Sequence, residues 1–163
     1  MKKMLVAALA GGALLIAGTP ALAQTVKPAL GPYGYGKVKL GMSFKQAKAT
    51  GKVTLKWGDK DSSCSGWDLK AYPTGKDSVG LYISKRRGVA VIFAAKGMKT
   101  PEGIGIGSTM KQVKAAYPKV KTPRGLNPHV SVPGNPKAHY TFFADKGRLE
   151  GLSLALGTQD CVS

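Results

Sequence analysis

Two ten-residue windows of this chain carry the same pattern of apolar and polar positions. Leu40-Gly41-Met42-Ser43-Phe44-Lys45-Gln46-Ala47-Lys48-Ala49 aligns with Ile106-Gly107-Ser108-Thr109-Met110-Lys111-Gln112-Val113-Lys114-Ala115 at a constant offset of 66 residues. Self-similarity at one fixed spacing marks repeated supersecondary units. In each window a hydroxyl residue stands three positions before a glutamine, Ser43 before Gln46 and Thr109 before Gln112. That is the spacing of a capping box, in which hydroxyl and amide satisfy the first unpaired N–H groups of a helix reciprocally. Phe44 and Ala47 then share one helical face, as do Met110, Val113 and Tyr117, while Lys45, Lys48, Lys111 and Lys114 turn away from it. The first helix is predicted to stop near Gly51 and the second before Pro118, because a proline disfavours helical geometry in its predecessor. Helices this short need something larger to pack on.

Alternating and β-branched runs supply it. Residues 79–84 and 89–94 flank Lys85-Arg86-Arg87-Gly88 and read as a hairpin. Residues 140–144 and 148–155 flank Asp145-Lys146-Gly147 in the same way. Further strands are predicted over 67–72 and 129–132. Residues 95–103, with Pro101, read as a joint, and 123–136, with four prolines and two glycines, as a long loop. The predicted fold class is α+β: two tandem repeats, 37–95 and 96–163, each a short helix packed on an antiparallel sheet.

The start of the chain reads differently. Met1-Lys2-Lys3, an apolar stretch to Gly18 and Ala21-Leu22-Ala23 have the form of a signal peptide over residues 1–23, and a Pro- and Gly-rich arm is predicted over 24–36. Residue 24 is Gln, so the lipidated cysteine of a bacterial lipoprotein is missing from that place. The expected location is secreted, with no spanning segment after the leader. In an oxidising compartment the two cysteines, Cys64 and Cys161, are expected to form a disulfide closing 97 residues.

Charge changes the picture most. The chain holds 25 Lys and Arg against 8 Asp and Glu, a formal charge of +17. All but four of the cations are lysines, which act as hydrated point charges rather than bidentate forks. Specific nucleic-acid recognition is therefore disfavoured, and an anionic cell-envelope polymer or a protein is the expected partner of a monomer. Lys45, Lys48, Lys111 and Lys114 are the candidate anion-binding residues, since the repeat places them as matching pairs. Lys37, Lys39, Lys52, Lys56 and Lys60 extend the first set, and Lys119, Lys121 and Arg124 the second.

Catalytic, cofactor and metal patterns are weak. His129 and His139 have no nucleophile beside them in sequence. Cys64, His129, His139 and Cys161 are too scattered for a zinc site. Asp59-Lys60-Asp61-Ser62-Ser63 starts like a calcium loop, but Cys64 stands where glycine is required. Gly103-Ile104-Gly105-Ile106-Gly107 has the wrong glycine spacing for a dinucleotide fingerprint. Trp57 and Trp67 bracket Cys64, as packing against the disulfide or as a stacking platform. No cofactor, metal or enzymatic activity is expected.

The duplicated Gly-x-Ser/Thr helix starts leading into antiparallel strands resemble the secreted actinobacterial tandem-repeat proteins typified by the β-lactamase inhibitory protein. Exported actinobacterial proteins with a Thr-Pro-Glu-Gly-Ile stretch before the second helix, here residues 100–104, are similar too. The resemblance covers about residues 37 to 161. It implies a non-enzymatic binding or envelope-associated protein, with inhibition of a β-lactamase or a related enzyme as the alternative. Its single long disulfide loop and its few acids set this chain apart from the inhibitor, which carries one disulfide in each repeat and an acidic inhibitory loop.

Overall fold

A computed structural model describes residues 28–162, so the predicted leader and the first residues of the arm lie outside the described residues. Both capping boxes form. Ahead of α1 (Phe44–Ala49), Ser43 N donates to Gln46 Oε1 at 2.8 Å and Gln46 N donates to Ser43 Oγ at 3.3 Å. Ahead of α2 (Met110–Ala116), Thr109 and Gln112 do the same at 2.8 and 3.2 Å. The lead-in to each helix is tied to the sheet by a pair of backbone bonds, Gly41 and Met42 with Val89, and Gly107 and Ser108 with Leu149.

Strands dominate the rest. β1 (Leu30–Gly31) and β2 (Gly34–Tyr35), from the stretch expected as an arm, form a small sheet with β3 (Val38–Lys39) at the start of the first predicted repeat. β4 (Val53–Trp57), β5 (Cys64–Leu69), β6 (Leu81–Ser84), β7 (Gly88–Phe93), β8 (His129–Val132), β9 (Asn135–Asp145) and β10 (Arg148–Leu156) form one antiparallel sheet in the order β4-β5-β6-β7-β10-β9-β8. The predicted hairpins are β6–β7 and β9–β10, and they meet edge to edge where Ile92 lies opposite Leu154.

This architecture corrects the α+β expectation of two helix-on-sheet repeats. The helices hold six and seven residues, and each buries a single residue, Ala47 or Val113. So little apolar surface cannot organise a helix layer, since burial energy scales with the area removed from water. The protein is mostly β, built on a single seven-stranded sheet, and one core cluster runs through both halves.

The two faces of the sheet differ. On the helix-bearing face Trp67, Leu81, Ile92, Tyr140, Phe142 and Leu154 are buried. Phe44 meets Trp67 edge-on at 4.9 Å, and Tyr117 lies 5.7 Å from both Tyr140 and Phe142. The small sheet docks there, with Tyr140 Oη donating to Leu30 O at 2.6 Å. The C-terminal tail crosses the opposite, more open face. Cys161 is disulfide-bonded to Cys64 at the start of β5, with Cα atoms 5.8 Å apart. The tail thus passes from β10 over β7 and β6, three strand spacings or roughly 14 Å. Among the described residues no helix is long and apolar enough to cross a membrane.

Candidate functional site

The four candidate lysines are all exposed, but the fold separates them into two pairs. Lys45 and Lys48 of α1 line a recess of about 440 Å³ together with Lys60 and Lys85, which arrive from the 58–63 loop and the β6–β7 turn. Ser43, Ser62 and Ser84 add hydroxyl groups to its wall. Lys111 and Lys114 do not line that recess. Nor does Lys56, whose ammonium turns to Asp68 at 3.5 Å and to Thr74 Oγ1 at 2.9 Å.

Two aspartates accompany the recess. Asp59 is spent on its own loop: its Oδ1 accepts from Asp61 N and Ser62 N, both at 2.8 Å. Those bonds, with the Ser62 hydroxyl, hold its carboxyl below the usual carboxylate range. Asp61 pairs with Lys60 and, at 3.9 Å, with Lys85, and all three side chains are more than half exposed. Exposed pairs of this kind are worth about 0 to 1 kcal/mol. A polyanion that presents several charges at once can therefore displace Asp61 at little cost.

A larger concavity lies on the open face. Its volume is about 1240 Å³, with a floor of β7, β10, β9 and β8. Register builds it: Val91 lies opposite Ala155, which lies opposite His139, which lies opposite Ser131. The next row runs Phe93, Ser153, Thr141 and His129. One wall is the tail, shaped by Gln159, whose Oε1 accepts from Cys161 N and Val162 N at 3.0 Å each. The other wall follows α2 and passes the edge of β8, where Lys121 pairs with His129 through two backbone bonds of 2.8 and 3.0 Å.

Family, curated-protein and solved-structure comparisons return no match to this chain.

The remaining expectations can be placed by residue. His129 and His139 both face the groove, and burial followed by the nearby His129 pushes the His139 imidazole below its ordinary value. No aspartate or glutamate stands among the described groove-lining residues to orient either ring as a general base. Trp67 is buried on the helix-bearing face, its Nε1 donating to Ser65 Oγ at 2.9 Å, rather than packed on the disulfide. Trp57 lies over Gly66 on the open face and is 48% exposed. Asp160 sits beside the disulfide, but with both sulfurs bonded they offer no thiolate to a metal.

Lys60, expected to extend the first lysine set, lines the recess beside Lys45 and Lys48. Two features have no counterpart in the sequence reading. Lys85 joins that set only across the fold, 40 positions along the chain from Lys45. The groove itself rests on cross-strand register between residues as distant as Val91 and Ala155. The alternation of His129, Ser131, His139, Thr141 and Phe143 with buried neighbours was the available local signal.

Proposed function

We propose that this is an exported, non-enzymatic binding protein that engages an anionic cell-envelope polymer through its basic surface. The observation that carries the reading is the recess where Lys45, Lys48, Lys60 and Lys85 converge beside serine hydroxyls. Four lysines against Asp59, which is held by its own loop, and the weakly paired Asp61 leave an excess of positive charge at one place on a strongly basic chain. Such a field raises the local concentration of polyanion and speeds encounter. Export is supported by the leader-like N-terminus and by the Cys64–Cys161 disulfide, a bond that persists in oxidising compartments. The Lys111 and Lys114 pair, on α2, acts as a second and separate contact for a chain-like ligand.

The test is sedimentation with isolated cell wall across a salt series. A Lys45→Gln/Lys48→Gln variant is compared with a variant that loses two lysines elsewhere, Lys70→Gln/Lys76→Gln. The recess variant is expected to lose most of the binding at 150 mM salt while the control keeps it, and the dependence on salt is expected to be shallower. Equal losses in the two variants would show that net charge alone is responsible.

A further inference from the structure

We infer that the open-face groove is a separate binding site for a single-chain anionic amphiphile, an aliphatic chain carrying a phosphate or carboxylate head. The floor nearest the middle of the sheet, on β7 and β10, is apolar at Val91, Phe93 and Ala155, and Phe143 adds a ring from β9. Toward the edge strand the ionisable groups change the character of the lining. Lys119 and Lys121 come from the segment beside β8, Lys137 from the start of β9, and His129 and His139 from the floor. Apart from the buried Tyr117, every ionisable side chain among the described lining residues is a lysine or a histidine. From β7 to the Lys121 segment the groove spans four strand spacings, about 19 Å, long enough for an extended chain with its head at the rim.

The two ends ask for different halves of one molecule. A polyanion would leave the half-buried Phe93 and Phe143 rings without an apolar partner. A neutral hydrocarbon would leave the lysines with nothing to bind. An amphiphile with an anionic head matches both, which is the pattern of a ligand site with an apolar body and a few convergent polar groups. The site is distinct from the lysine recess: the two share no lining residue.

The full-length oxidised protein is titrated with butyl, octyl and decyl phosphate below their micelle concentrations, and with decanol as the neutral control. Binding is read by calorimetry and by amide shifts. Affinity is expected to rise by up to about fourfold per methylene, the limit set by full burial of each CH₂. Shifts should cluster on Val91, Phe93, His139 and Ala155. Decanol is expected to bind at least tenfold more weakly than decyl phosphate. Lys121→Gln/Lys137→Gln should weaken decyl phosphate and leave decanol unchanged. Thr141→Trp, which fills the floor, should abolish both; Ser131→Trp, on the exposed edge strand, does the same job if the first variant folds poorly. Butyl phosphate binding as well as decyl phosphate, decanol binding as well as decyl phosphate, or shifts confined to the lysine recess would each overturn the assignment. Failure here leaves the cell-wall result untouched, because that experiment reads a different surface.

Discussion

Asp68 offers the sharpest test of how this sheet is held together. It is buried at 6% exposure in β5, yet it is a charged residue on an apolar strand. Its carboxylate accepts from Thr74 N at 2.8 Å, Thr74 Oγ1 at 2.7 Å and Gly80 N at 3.0 Å, with the Lys56 ammonium at 3.5 Å. These contacts stitch the 72–80 loop to the sheet. Burial alone would raise the Asp68 carboxyl, but the bonds from Thr74 and Gly80 and the charge on Lys56 outweigh it and leave it below its ordinary 3.8. In Asp68→Asn the amide has one acceptor oxygen, and its NH₂ must face an N–H or an ammonium on the other side. At least one hydrogen bond to a charged group is lost, at about 1.5 to 3 kcal/mol, and Lys56 is left without its counter-charge. A total loss of about 2 to 4 kcal/mol is expected, a large part of the roughly 5 to 15 kcal/mol available to a small domain.

Urea unfolding measures this directly, with a fall in midpoint of about 1 to 2 M for a slope typical of this size. The acid limb adds a second readout. A carboxyl depressed in the folded state contributes stability that is fully present above its unfolded value and is lost as pH falls through its folded value. As pH falls below about 4 the native protein should therefore lose stability more steeply than the variant. A loss under about 1 kcal/mol at pH 7, or identical acid slopes, would show that Thr74 and Gly80 find other partners.

Three further outcomes follow from the same structure. Gly66→Ala places a Cβ against the Trp57 indole, so about 1 to 3 kcal/mol is lost and Trp57 emission shifts red while buried Trp67 stays constant; unchanged emission would contradict the packing. Cys64→Ser/Cys161→Ser opens a 97-residue loop and is expected to cost up to about 4 to 5 kcal/mol, with faster amide exchange along residues 157–162; an unchanged urea midpoint would refute a stabilising role. His139, half-buried and beside His129, has a depressed imidazole, so the folded state resists protonation and stability declines as pH falls through the unfolded value near 6.5; His139→Gln should flatten the pH 7 to 5 limb, measured by thermal unfolding at each pH.

Legibility followed the range of the interactions. Both capping boxes are local, three residues apart, and formed at the predicted residues. The hairpin turns and the strand His129–Val132 were equally readable from short patterns. β4 is a weaker signal: Val53, Leu55 and Trp57 alternate with polar residues, but of the three only Val53 is buried. The fold class went astray for a different reason. Two well-capped helices were given the weight of a layer, when six and seven residues bury one side chain each and the strands carry the core. The site residues show the same limit. Lys45, Lys48 and Lys60 could be read as one set, but Lys85 reaches them only across the fold.

The open face is the part of the molecule whose composition has no purely structural rationale. A sheet face designed to meet water carries charged and polar residues, and one designed to be covered carries apolar ones. Here Val91 and Ala155 are buried beneath the tail, Phe93 and Phe143 are half-buried, and Ser153 is a buried hydroxyl residue in the same layer. Val162, 36% exposed, lines the groove beside them. Phe143 is held flat against Gly151, with a Cβ-to-ring distance of 3.1 Å were the glycine an alanine. That geometry keeps its ring within the groove lining rather than hidden in the core. Leaving two aromatic rings partly in water forgoes part of about 1.5 to 3 kcal/mol for each. A ligand whose hydrocarbon covers those rings recovers that energy, and its head meets Lys121 and Lys137 at the margin the tail leaves open.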